Sequence, residues 1–156
     1  MIKKKELDLF EIHTSLKNNT TLTAIMDSFQ MEAKQTNFPI SISKSSLKTG
    51  YLWLRQDVEC LTMVHPKHQE DYFGLVMNNT RQGNCIIFHI YLCGKSALFK
   101  DSTSLRSFIA ETYGSLHVRY KPMTPSERLL FEKEREQKKE ECDWYIYILE
   151  TLKQKV

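Results

Sequence analysis

The stretch NCIIFHIYLC, residues 84–93, constrains this chain more than any other. Its β-branched and aromatic side chains, with turn residues on either side, favour a strand over a helix. Side chains alternate across a strand, so Ile86, Phe88, Ile90 and Leu92 share one wholly apolar face. That face requires a covering layer. Cys85, Ile87, His89, Tyr91 and Cys93 share the other face, which is semi-polar and expected to be partly covered by a helix. A sheet with helices packed on it follows from this one segment.

The remaining elements are read around that strand. Leu9, Ile12 and Leu16 form a helical stripe within residues 3–17, so a first helix is expected there, interrupted by Asn18-Asn19. Thr20 or Thr21 caps a second helix carrying Leu22, Ile25, Met26, Phe29 and Ala33 on one face, and Asn37 and Pro39 end it. The period then changes to two. Ile40 and Ile42 alternate with serines, Lys48-Thr49-Gly50 makes a turn, and strands begin at Tyr51 and run from Val58 to Val64. YFGLVM (72–77) is expected to form a hairpin with 84–93 through the turn-rich loop NNTRQG. A capped helix with Leu105, Phe108 and Ile109 ends at Gly114, and SLHVRYK (115–121) alternates as a last strand.

Thr124-Pro125-Ser126-Glu127 combines a capping threonine, proline at the first helical position and the glutamate of a capping box. The expected architecture is α+β: N-terminal helices, a mostly antiparallel twisted sheet of about five or six strands, one helix before the last strand, and a long C-terminal helix. At 156 residues the chain suits one core. Residues 1–122 are expected to form the α+β core domain and 123–156 a C-terminal helix, polar in its middle and apolar at its end.

That helix poses the functional question. EKEREQKKEE, between Phe131 and Cys142, has no apolar side chain. Ten helical residues span about 15 Å, and a helix polar all round for that distance does not lie on a sheet. The following CDWYIYILETL places Cys142, Tyr145, Ile146, Leu149 and Leu152 on one stripe, widened by Trp144 and Ile148. The helix can break and fold its end back onto the domain, or the end can belong simply to the core, pair with a second copy, or anchor another protein. The partner-binding residues expected on this reading are Trp144, Tyr145, Ile148, Leu149 and Leu152. It also expects loss of residues 142–156 to change assembly without unfolding the rest.

Composition excludes rather than identifies. Charged residues make up 26% and apolar ones 41%, with a net charge of +3, so the chain is too apolar for a disordered one and only mildly basic. The alternative function is nucleic-acid binding through Lys3, Lys4, Lys5, Arg81, Arg119 and Lys121, joined by Lys95 and Lys100, with Tyr51, Trp53 or Tyr91 stacking bases. These basic residues are scattered, and no recognition-helix, zinc-finger or RNP signature accompanies them.

Catalytic and cofactor motifs are incomplete. Gly94-Lys95-Ser96 resembles the end of a phosphate loop, but the glycine required five positions earlier is His89. Cys85 and His89 stand roughly 13 Å apart on a strand, too far to share a zinc ion by themselves. His65 and His68, in HPKHQED, are the best metal candidates, against the reading of a solvated loop. His13-Thr14-Ser15 is half of a paired H-x-[S/T] pattern with no second half. No G-x-S-x-G, H-E-x-x-H or G-x-G-x-x-G occurs. The expectation is a non-enzymatic protein with no cofactor and no metal.

The four cysteines form no C-x-x-C and are read as free, mostly buried thiols. The basic N-terminus has Glu6, Asp8 and Glu11 where a signal peptide needs an apolar run, and no stretch approaches a membrane span. The expected setting is therefore cytoplasmic. The expected function is a small intracellular interaction or regulatory protein that binds another protein, or itself, through the apolar C-terminal segment.

Overall fold

A computed structural model describes residues 9–15, 20–49, 56–100, 104–114 and 124–156. Five strands form one antiparallel sheet: β1 (Leu9–Ser15), β2 (Ser41–Thr49), β3 (Gln56–Val64), β4 (Gly74–Gln82) and β5 (Cys85–Cys93), in the order β1-β5-β4-β3-β2. Three helices accompany them: α1 (Leu22–Thr36), α2 (Leu105–Gly114) and α3 (Pro125–Lys155). The fold is α+β, with a long C-terminal helix. Among the described residues α2 follows every strand; the strand expected at 115–121 lies outside them, as does the one expected at 51–55.

Residues 9–15 correct the expected first helix. Seven residues of β1 pair with β5, from Leu9 opposite Tyr91 to Ser15 opposite Cys85. Ile12 and Thr14 turn inward while His13 and Ser15 are exposed, which is the period of a strand. Apolar spacing in so short a segment fits either period. Without β1, one side of β5 would present a row of unsatisfied backbone groups, and pairing along it decides the matter.

The hairpin loop is also shorter than its sequence suggests. Asn78 to Gln82 continue β4 and pair with His89 to Cys85, leaving Gly83-Asn84 as the turn. Gly83 has φ 56°, the positive value that a two-residue hairpin turn requires. Thr80, Arg81 and Gln82 are exposed on their strand, so composition alone imitates a loop, although Asn78 is buried.

Because β1 and β2 lie at opposite edges of the sheet, the chain between them must cross all five strands. Four inter-strand gaps of about 4.8 Å need roughly 19 Å. The 15 residues of α1 supply about 22 Å. Thr21 caps α1 by accepting the Ala24 N–H, and Asn37, at φ 56°, ends it by donating to the Ala33 carbonyl. Leu22, Ile25, Phe29 and Ala33 are buried, as their spacing predicts.

The core forms between one sheet face and the three helices. Phe88, Ile90 and Leu92 of β5 meet Leu75 and Met77 of β4, then Leu61 and Met63 of β3. The same cluster includes Phe29 from α1, Phe108 from α2, and Tyr145, Ile148 and Leu152 from α3, so it extends to both sides of residue 122. On the opposite face Cys60, Val76 and Cys93 form a smaller buried cluster, with Leu47 and Tyr91 packed against it. Three of the cysteines are buried, Cys85 is exposed, and all four are free.

Candidate functional site

Helix α3 runs unbroken for 31 residues, so the expected alternative of a helix that breaks and folds back does not occur. The Thr124–Glu127 capping box is formed, and Lys138 pairs with Glu134 one turn earlier at 3.5 Å. From Thr124 to Leu130 every residue is exposed. Leu129 and Leu130 are there 69% and 68% exposed, and Leu129 borders a shallow hollow of 280 Å³.

Its C-terminal half is the opposite. Trp144, Tyr145, Ile148, Leu149 and Leu152 are all buried in this chain's own core. The structure therefore removes most of these residues from the surface on which a partner was expected. The stripe that looked unsatisfied in sequence is satisfied by α1, α2 and the sheet, because burying each such side chain is worth roughly 1.5–3 kcal/mol.

Polar bonds position this half of α3. The Trp144 indole N–H donates to the Pro39 carbonyl at 2.8 Å. Lys155 reaches Glu32 of α1 at 2.7 Å, and Thr14 of β1 donates to the Val156 carbonyl at 3.3 Å. Glu141 lies at the centre, fully buried one turn before Tyr145. The Tyr145 hydroxyl donates to one of its carboxyl oxygens at 2.8 Å and accepts the Phe73 N–H at 2.9 Å. Ser96 donates to the other oxygen at 3.0 Å while accepting the Leu98 and Phe99 N–H groups.

These donors favour a charged Glu141, but loss of solvent outweighs them and raises its pKa to about 7. The network also explains Gly94-Lys95-Ser96. Gly94 turns at φ 92°, Lys95 is exposed, and Ser96 is a buried brace for α3. Tyr145→Phe leaves both the Phe73 N–H and a Glu141 oxygen without their partner. An expected loss of about 2 kcal/mol follows, read from urea unfolding midpoints.

Beside this brace a cleft of 590 Å³ opens to the surface. Three separate segments build it: Phe38 and Pro39 between α1 and β2, His65 and Tyr72 from the β3–β4 loop, and one side of α3 from Glu136 to Tyr147. Phe38 and Tyr147 stack with ring centres 4.1 Å apart. His65 sits 4.6 Å from His68 and 5.8 Å from Trp144, and His68 stacks on Tyr72 at 4.4 Å. The two loop histidines thus belong to an aromatic wall. Among the described residues no group of three or more histidine, cysteine or acidic side chains is placed to hold a metal ion.

Burial lowers the His65 pKa, and the neighbouring His68 adds to this, while the Glu140 charge opposes it. His65 Nδ1 accepts the Lys67 N–H at 3.1 Å. A ring nitrogen that accepts carries no proton, so neutral His65 holds its proton on Nε2. Burial raises the Tyr72 pKa, and the Glu140 carboxylate adds to the rise. Glu140 is therefore near both rings. At this rim Glu136, Glu140 and Asp143 face a single cation, Lys139.

Of the residues expected to bind a partner, only Trp144 lines the cleft. Glu136, Glu140 and Tyr147 went unnoticed, although their spacing along one helical side was a usable signal. Phe38 and Pro39 join them only through the tertiary fold. Of the basic residues expected to bind nucleic acid, Arg81 is exposed near the hairpin tip, whereas Lys3, Lys4, Lys5, Arg119 and Lys121 lie outside the described residues. Tyr51 and Trp53 also lie outside them, and Tyr91 is half-buried. His13 is exposed on β1, and His89 pairs with Thr80 at 2.9 Å. No described helix is long and apolar enough to cross a membrane. Compared with known protein families, curated proteins and solved structures, the chain matches none.

Proposed function

We propose that this chain is a small, cytoplasmic, non-enzymatic interaction protein that docks a segment of another protein in the cleft beside α3. The supporting observation is the cleft itself, whose volume of 590 Å³ lies within the range typical of ligand sites. Three chain segments meet there, and its aromatic side chains are anchored by packing rather than left on a mobile loop. Binding uses the solvent side of α3, while the apolar stripe holds that side in place. Phosphates are unsuited to this cleft, because its carboxylates outnumber its single lysine.

The test is a random peptide library displayed on phage and selected in parallel on two proteins. One is the native chain, and the other carries Phe38→Ser and Tyr147→Ser. Sequences enriched on the native protein and lost on the variant support the reading, provided the variant still melts cooperatively. Glu136→Lys, an exposed change, repeats the comparison should the double variant fail to fold. Absence of enrichment, or equal enrichment on native and folded variant proteins, overturns the reading.

A further inference from the structure

Two carboxylates at the cleft rim have no internal partner. Glu136 and Glu140 are one helical turn apart on α3, and neither makes an ion pair or hydrogen bond among the described residues. Like charges at this spacing destabilise a helix by a few tenths of a kcal/mol. Lys138 is committed to Glu134, and the Asp143 carboxylate accepts the Tyr113 hydroxyl. The rim therefore has two uncommitted negative groups, and Glu140 lies close to the rings of His65 and Tyr72.

Carboxylates beside aromatic rings suit a particular kind of cation. A guanidinium is planar, stays charged, stacks on rings and offers five N–H donors to carboxylates. An ammonium is a compact, strongly hydrated point charge and matches the rings less well. A hard metal ion needs six or more oxygen ligands close together, which two carboxylates on successive turns do not supply. The cleft is also much larger than one side chain, so the cation arrives with flanking chain that fills the remainder.

We propose that the cleft recognises an arginine side chain on a segment of the partner protein, with Glu136 and Glu140 receiving the guanidinium, His65 and Tyr72 supplying ring contacts beside Glu140, and Phe38 and Tyr147, further along the cleft, contacting the flanking chain. This rests on the docking reading above and names what that site selects. Charge complementarity supports it, as does the absence of any internal cation committed to these two carboxylates.

The test uses the full chain and blocked tripeptides, Gly-Arg-Gly, Gly-Lys-Gly and Gly-citrulline-Gly. Citrulline keeps the planar shape of arginine without its charge. The readout is the Trp144 indole N–H resonance, distinguished from that of Trp53 with a Trp53→Phe variant. The arginine peptide is expected to shift it saturably, at least about threefold more tightly than the lysine peptide. The citrulline peptide should give no saturable shift. Added salt should weaken binding, and Glu136→Gln with Glu140→Gln should weaken it about tenfold.

A citrulline peptide that binds as well as the arginine one overturns the charge recognition while leaving peptide docking intact. So does arginine binding unchanged in the double glutamine variant. No shift from any of the three overturns the arginine assignment, and the library selection then decides separately whether the cleft docks peptides at all.

Discussion

Truncation after Glu141 is expected to abolish folding. It removes Cys142, Trp144, Tyr145, Ile148, Leu149 and Leu152, all buried in the single large core. Burial of these six side chains contributes on the order of 10 kcal/mol, which matches the whole net stability of an ordinary domain. Removal also exposes Phe29, Phe88 and Phe108 on the remaining surfaces. The shortened chain should show no cooperative thermal transition and should bind hydrophobic dyes. A truncated protein with a sharp transition and native-like near-ultraviolet dichroism would refute this. That result would also restore the helix end as a detachable binding element, the arrangement that its sequence first suggested.

The second large effect is a pH dependence carried by Glu141. Its pKa is raised from 4.5 to about 7 in the folded chain, chiefly by burial. Between those two values the folded state retains a proton that the unfolded state has released. The contribution of this group is therefore most favourable below 4.5, declines as pH rises through the interval, and levels off above about 7. At 1.36 kcal/mol per pH unit the decline amounts to about 3 kcal/mol. Glu141→Gln cannot ionise, so it should lack this decline whatever fixed cost its altered hydrogen bonds impose. Urea midpoints from pH 4.5 to 8.5 measure the difference between the two proteins. Parallel profiles would show that the buried carboxyl titrates normally.

Ser96 and Tyr145 illustrate how such a network escapes sequence reading. Ser96 is 45 positions from Glu141, and Phe73 is 72 from Tyr145. No local pattern couples them. Glu141 is moreover the last residue of the EKEREQKKEE run, where charge along the helix argues for solvent. The periodicity of α3 placed Cys142, Tyr145, Leu149 and Leu152 in the core, with Trp144 and Ile148 beside them, although Ile146 is only half-buried. A single glutamate next to that stripe turns inward because two hydroxyls are there to receive it.

Residues whose environment is local were legible. The α1 stripe, its Thr21 cap, the Thr124 box and the alternating faces of β5 rest on dihedral preferences and spacing within a few residues. These interactions close over one turn or one strand pair, so the chain needs no distant partner to specify them. Residues 9–15 had no such local answer. Seven residues satisfied either period, and the backbone demand of β5 chose the strand. The cleft likewise required α1's end, the β3–β4 loop and α3 to meet. Local spacing was enough to specify the helices with caps, the apolar face of β5 and the polarity change along α3. That the apolar end of α3 is core, and that the opposite side of the helix faces the cleft, came from the assembled fold. Burial depends on which surfaces can reach one another, and chain spacing alone does not contain that information.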